Sequence, residues 1–283
     1  MSAELPNQNH KIPFVKMNGV GNATGDVFPT TSSTPFVKMN GAGNDFVIFD
    51  ARKQAVELTS EQIQKISDRE NIGCDQVIVI KNSAVADCLM EIYNSDGSLS
   101  GACGNATRCV ASMLNKKNVK IQTAAGLLEC WHEGDFISVN MGVPKFEAEK
   151  ILLHGFEFDC VDVGNPHAVT FIAQKISDKK FSDLGPKIGC DKFFPNKTNV
   201  EFARIISDDL IEVRVWERGA GETLACGTGA CAVGILAIKK DLVKSKKVTT
   251  RFKGGDLKIE WNGAGAAVIM TGGFEKEFDG WFE

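Results

Sequence analysis

Short runs of β-branched and aromatic residues, alternating with polar ones and bounded by Gly, Asn or Asp, recur along most of this chain. They predict strands at residues 46–49, 77–81, 89–93, 119–123, 136–141, 168–172, 200–205, 211–216, 248–252, 257–261 and 267–270. Apolar positions recur at helical spacing in only four stretches, which predicts helices at 59–69, 104–116, 182–190 and 227–239. The first opens on Thr59-Ser60 with Glu61 close behind, a capping pattern. Strands dominate, and one principal helix follows the fourth or so strand of each half, so this is not the alternation of a doubly wound sheet. The order fits an α+β fold of two pseudo-symmetric lobes, each a curved mixed or antiparallel sheet wrapped around a principal helix.

The duplication is visible in the letters. Met90-Glu91-Ile92-Tyr93-Asn94 runs through a Gly/Ser-rich loop to Ala102-Cys103-Gly104, and Val213-Arg214-Val215-Trp216-Glu217 runs to Ala225-Cys226-Gly227. Asn94 to Glu217 and Cys103 to Cys226 share an offset of 123, as do Gln76 and Asn199. With a slip of two, Asn44 corresponds to Asn165. Self-similarity of this kind is an architectural signal. Two related lobes face each other across a cleft, which would then hold two matched thiols.

Length and charge bound the reading. A chain of 283 residues is long enough for two lobes with cores of their own, and the boundary is expected near 145, giving lobes 35–145 and 146–283 with the last strands free to return to the first lobe. A formal charge of −4 without a long basic block argues against a nucleic-acid partner; Lys244 to Lys247 is a solvated face. Nine cysteines, an odd number scattered through both halves, suit a reducing compartment, and the cytoplasm is the expected location. No apolar run approaches the roughly 20 residues of a membrane helix, and residues 1–34 lack the apolar core of a secretory signal. Within that segment Pro13–Asn22 nearly repeats Pro35–Asn44, but only the second copy continues into the apolar Asp45–Phe49, so residues 1–34 read as a disordered extension.

Each of the two cysteines precedes a predicted helix. Unpaired N–H groups and about half a positive charge at a helix N-terminus favour an anion, so a thiolate is expected there with its pKa drawn down from about 8.5 toward neutrality. Gly104, Gly227, Thr228 and Gly229 let backbone amides approach a bound carboxylate. Facing thiols could remove a proton from one side of a carbon and return one to the other, inverting the stereocentre. Blander readings compete. Cys74, Cys88, Cys109, Cys130, Cys160, Cys190 and Cys231 read as small packing residues. A zinc site fits poorly, because the spacings from Cys103 to Cys109 and from Cys226 to Cys231 are not those of a structural knuckle. A redox pair that closes under oxidation stays open. No phosphate-cup lysine or G-x-G-x-x-G turn suggests a bound cofactor.

Several separated motifs, in order from about residue 35 to the end, resemble those of the diaminopimelate epimerase family. They are Lys38 to Phe46 (KMNGAGNDF), Gly73-Cys74-Asp75-Gln76, Asn94 to Ser98 with Ala102 to Cys109, Gly164-Asn165-Pro166-His167, Thr198-Asn199-Val200, and Glu217 to Thr223 with Cys226 to Gly229. Ala106-Thr107 departs from the Gly-Ala more usual there. The resemblance implies a cofactor-independent enzyme that interconverts LL- and meso-diaminopimelate in lysine and cell-wall precursor synthesis. It implies Cys103 and Cys226 as the acid/base pair, with His167 and Glu217 tuning the thiols. Gly104, Asn105, Gly227 and Thr228 would cradle the carboxylate at the reacting centre. Asn44, Gln76, Asn94, Asn165, Asn199, Glu217 and Arg218 would line the rest of the pocket, with Arg218 as the clamp for the distant carboxylate. Taken singly, the asparagines and His167 are ordinary turn residues, and Glu217-Arg218 an ordinary solvated pair; only their matched order lifts them. A proline-racemase-like relative would carry His where Asn105 stands. A non-catalytic amino-acid-binding or redox-switch protein is the alternative from another class. The aromatic segment Phe274 to Trp281 is a candidate homodimer contact, with core packing as its rival.

Overall fold

The computed structural model describes residues 33–101 and 103–283; the near-copy Pro13–Asn22 lies outside the described residues. In the first lobe the strands are β1 (Thr34–Gly41), β2 (Asn44–Asp50), β3 (Gln76–Lys81), β4 (Cys88–Asn94), β5 (Leu99–Ser100), β6 (Asn118–Thr123), β7 (Gly126–Glu133) and β8 (Phe136–Asn140), with helices α1 (Ser60–Ser67) and α2 (Gly104–Met113). The second lobe has β9 (Lys145–Leu153), β10 (Phe156–Asp162), β11 (Pro166–Phe171), β12 (Asn199–Ile205), β13 (Leu210–Glu217), β14 (Gly221–Glu222), β15 (Lys247–Phe252), β16 (Gly255–Glu260) and β17 (Ile269–Gly272), with α3 (Asp178–Gly189) and α4 (Gly227–Lys239). The last strand is β18 (Glu275–Phe282).

The two lobes repeat one pairing pattern. β2 runs parallel to β3, β3 antiparallel to β4, and β4 antiparallel to β5 but parallel to β6, after which β6, β7 and β8 form a meander. β11, β12, β13, β14, β15, β16 and β17 pair in the same sequence with the same polarities. β8 pairs with β17 and joins the halves into one continuous mixed sheet. β18 pairs with β1 as β9 pairs with β10.

One apolar core holds both lobes together, and the central helices explain it. In α4 all residues from Gly229 to Ala237 are buried, and in α2 all from Gly104 to Ala111. α4, apolar on every side, belongs inside, and α2 joins it with Asn105 and Arg108 bonded to each other. α2 and α4 contribute Ala106, Cys109, Val110, Cys231, Val233 and Ile235 to the same cluster. α1 and α3 lie outside and are amphipathic, covering two satellite clusters through Ile63 and Ile66 in one lobe and Phe181 and Ile188 in the other. α1 starts at a full capping box between Thr59 and Gln62, whereas Ser177 alone caps α3.

The structure departs from the sequence expectation at several strands. β1, β7, β9, β10 and β18, with the two-residue strands β5 and β14, lie outside the expected runs. β9 is rich in charge and alternates between exposed and half-buried positions, which mutes its apolar signal. α3 begins four residues before the expected helix and carries Pro186 in its final turn. The segment Phe274–Trp281 lies largely in β18, where Phe278 packs edge-on against Phe36 and Trp281 stays exposed.

Candidate active site

Both cysteines stand at helix N-caps in extended backbone, Cys103 before α2 and Cys226 before α4. The two turns converge on one side chain. A methyl group added at Gly104 would come within 2.8 Å of Met270 Cε, and one at Gly227 within 3.1 Å of Met270 Sδ and 3.5 Å of Asn105 Oδ1. With glycine at both positions the two turns close on Met270 without displacing its side chain. Asn105 is held from behind by Arg108, whose Nη1 donates to Asn105 Oδ1 at 3.0 Å. Arg108 is itself fully buried, donates through Nε to the Gly273 carbonyl, and has an unpartnered Nη2.

The thiols differ in setting. Cys226 is 5% exposed; its Sγ accepts from the Gly229 amide at 3.4 Å and lies 3.4 Å from Thr228 Oγ1. Cys103 is partly exposed, with its thiol 3.8 Å from Asn44 Oδ1. The expectation of thiol pKa values near neutrality is corrected. Packed protein around Cys103 pushes its thiol up to about 11, the Glu217 charge adds to this, and the amides of Ala106 and Asn105 recover only part. Burial, then the charges of Glu217 and Glu201, push Cys226 well above the ordinary thiol value of 9.0. Desolvation outweighs the helix N-terminus in both turns. Burial likewise raises Glu217, against hydrogen bonds from Thr223 and from the Cys226 thiol.

Around these turns the remaining residues form two related sets. In the first lobe Gln76 sits opposite Asn94 in the ladder, its Nε2 donating to Asn94 Oδ1 at 3.0 Å, while Asn94 Nδ2 donates to Ser98 Oγ. Asn44 Nδ2 donates to Asp75 Oδ2 at 2.7 Å. Asp75 is pushed up by burial, while Asp45 beside it is held at about 2, because hydrogen bonds from Arg69 and buried Lys38 outweigh its own burial. In the second lobe Asn199 Nδ2 donates to the Pro166 carbonyl, and its Oδ1 accepts from the Arg218 amide at 2.8 Å, fixing the start of the loop after Glu217. The Arg218 side chain is exposed, with Nη1 donating to the Asn196 carbonyl. Asn165 and His167 lie together near the start of β11, Asn165 Oδ1 2.8 Å from His167 Nε2.

The structure therefore gathers Cys226, Thr228, Glu217, Asn199, Asn165 and His167 on one side, and Cys103, Asn44, Gln76, Asn94 and Asn105 on the other. Sequence reasoning assigned no role to Asp75, Arg108, Glu201 or Met270. Glu201 left a signal, an acid inside the apolar run Val200 to Ala203. Among the described residues no cluster of His, Cys, Asp and Glu is arranged to hold a metal ion, and no helix is long and apolar enough to cross a membrane.

Comparison with known proteins converges on one family. The sequence model described as diaminopimelate epimerase matches residues 36–147 and 159–276. Curated diaminopimelate epimerases from Methanococcus maripaludis strain C6 and Rhizorhabdus wittichii are 41% and 44% identical to this chain, over 95% and 93% of it and 99% and 92% of their own lengths. The fold is shared with a hydroxyproline epimerase from Agrobacterium vitis (TM-score 0.67, 15% identity, 88% of this chain and 91% of that one). It is shared also with a PhzF-family phenazine biosynthesis protein from Bacillus anthracis (TM-score 0.65, 15% identity, 89% and 100%). With motifs, fold and full-length relatives in agreement, the chain belongs to the diaminopimelate epimerase family, a family of isomerases.

Proposed function

We propose that this chain epimerises LL-diaminopimelate to meso-diaminopimelate and back without a cofactor, in the cytoplasm, with Cys103 and Cys226 as the two acid/base groups. The observation that carries the reading is that the two turns led by the N-cap cysteines, one from each lobe, meet at Met270 through Gly104 and Gly227. One sulfur is a thiolate and the other a thiol. The thiolate takes the α-proton from one face and becomes a thiol; the carbanion takes the proton of the opposite thiol, which becomes the thiolate. One proton enters and one leaves the carbon, the site's charge is unchanged, and the configuration is inverted.

The raised thiol pKa values fit a base that works only inside a closed site. A desolvated thiolate of high pKa is a stronger base toward a weakly acidic C–H bond than one poised near neutrality. Glu217 lies against the Cys226 thiol, and its charge helps keep that sulfur protonated until substrate arrives. On the other side, the amides of Asn105 and Ala106 favour the Cys103 thiolate. The first-turn amides at Gly104, Asn105, Gly227 and Thr228 would hold the carboxylate of the reacting centre and stabilise the carbanion. The amide side chains of Asn44, Gln76, Asn94, Asn165 and Asn199, with Glu217 and Arg218, would take the distant amino-acid end.

The test is deuterium incorporation at the α-carbon of either isomer in heavy water, with reduced protein and no added cofactor. Incorporation, and its loss in Cys103→Ala and in Cys226→Ala, is the expected result. Full activity in either variant would overturn the two-thiol reading.

A further inference from the structure

Glu201 lies within β12 in an apolar run and is wholly buried. Its Oε1 stands 2.6 Å from His167 Nδ1, while Oε2 has no hydrogen-bond partner. The other ring nitrogen, Nε2, stands 2.8 Å from Asn165 Oδ1. Carboxylate and carbonyl oxygens only accept. The ring between them satisfies both contacts when each nitrogen carries a proton. A buried carboxylate with a free oxygen is costly unless a cation stands beside it, and the imidazolium is such a cation. The other titratable groups facing this pair are acids: Glu217 on β13, Cys226 before α4, and Cys160 on β10.

This arrangement fixes the direction of a carboxamide. With its carbonyl facing His167, Asn165 turns its Nδ2 away from the ring, and that amide donates to nothing among the described residues. Asn44, the related asparagine of the first lobe, is held the opposite way: Nδ2 is taken by Asp75, and Oδ1 faces the Cys103 thiol. The two ends of a carboxamide exchange by a simple flip, so the group behind each asparagine decides which end is offered.

We propose that Glu201 is a positioning residue: its carboxylate keeps His167 protonated on both nitrogens, and the imidazolium locks Asn165 with its amide donors toward an anionic group of the substrate. With a neutral residue at 201 the ring needs one proton only. Asn165 is then free to turn Nδ2 toward the ring and its carbonyl outward, where lone pairs repel a carboxylate. The proposal rests on reading the cleft as an amino-acid site, and deepens it.

The test uses the full chain labelled with 15N-histidine, at about pH 7.5 and without substrate, the His167 signals being assigned by their loss in His167→Asn. In the wild type both ring nitrogens should be protonated. In the near-isosteric Glu201→Gln one of them should be bare. The KM for diaminopimelate should rise about tenfold in that variant, the loss of one charge-assisted contact. A bare nitrogen on wild-type His167, or an unchanged KM in Glu201→Gln, would overturn the proposal. The first of these needs no variant and no turnover. Absence of solvent exchange in the wild type would instead defeat the functional reading, with the ring protonation still measured.

Discussion

The two lobes are copies in strand pairing and differ at two buried ladder positions. In the first lobe Phe46 pairs with Gln76 and Ile48 with Ile78; in the second His167 pairs with Asn199 and Val169 with Glu201. Phe46 and Ile78 thus stand where His167 and Glu201 stand, and all four are buried. The first lobe shows that this fold closes with an apolar pair at these positions. The buried His167–Glu201 pair of the second lobe is not needed for architecture, and burying polar groups there costs stability. Such local breaches of the packing rule are where function is expected. A similar contrast separates Asn94 from Glu217, one carrying a neutral amide and the other a half-buried carboxyl beside the Cys226 thiol.

The sharpest way to break the comparison is through what the lobes have in common. Cys103→Ala and Cys226→Ala should each lower epimerisation about 10²–10⁴-fold, the range of a lost general acid or base. A large difference between the two in steady-state turnover would show that the thiols are not equal partners. Making the second lobe resemble the first comes next. Glu201→Ile alone leaves the buried His167 ring without its Nδ1 partner and should cost about 1–3 kcal/mol in urea unfolding. The double change Glu201→Ile with His167→Phe should recover that loss and end neutral or about 1–4 kcal/mol above the parent, at the expense of substrate affinity. A double variant as unstable as the single one would mean that the pair is structural.

The buried thiols of both lobes set an alkaline limit. Cys88 and Cys103 are raised to about 11, and Cys109, Cys130, Cys160 and Cys231 to about 12, each first by burial, against an unfolded value near 9.0. The folded chain therefore binds these protons more tightly than the unfolded chain. Their contribution to stability is fully present below about pH 9, and is lost as pH rises through 11 to 12. The melting temperature should hold from about pH 7 to 8.5 and fall steeply above 9; a flat profile to pH 11 would contradict this. The smallest contrast lies at the outer helices. Thr59→Ala removes a reciprocal cap and Ser177→Ala a single one, so each should cost about 1 kcal/mol in urea unfolding, the first more than the second.

Much of this was legible in the letters. The 123-residue offset pairs Gln76 with Asn199 at the starts of β3 and β12, and Cys103 with Cys226 at the two N-caps. The helices after the cysteines begin where the sequence places them, because each follows a Cys-Gly turn that leaves the next residues free to start a helix. β9 and β18 escaped because half-exposed strands carry charge at alternate positions and gain their place from distant partners, β10 and β1. The thiol pKa direction was misjudged, since the helix N-terminus is a local property and burial is a property of the finished fold. Asp75 and Glu201 act on residues 31 and 34 positions away, through contacts that only the assembled lobes create.

The central claim is that two thiols serve opposite faces of one carbon. The most direct measurement is the deuterium content of product and of remaining substrate at low conversion in heavy water, from each isomer in turn. Proton return from a second, solvent-equilibrated thiol requires product labelled at the inverted carbon while the remaining substrate stays largely unlabelled, in both directions. Label spread equally between substrate and product, or product that keeps the substrate's own proton, would contradict the account and point to a single base.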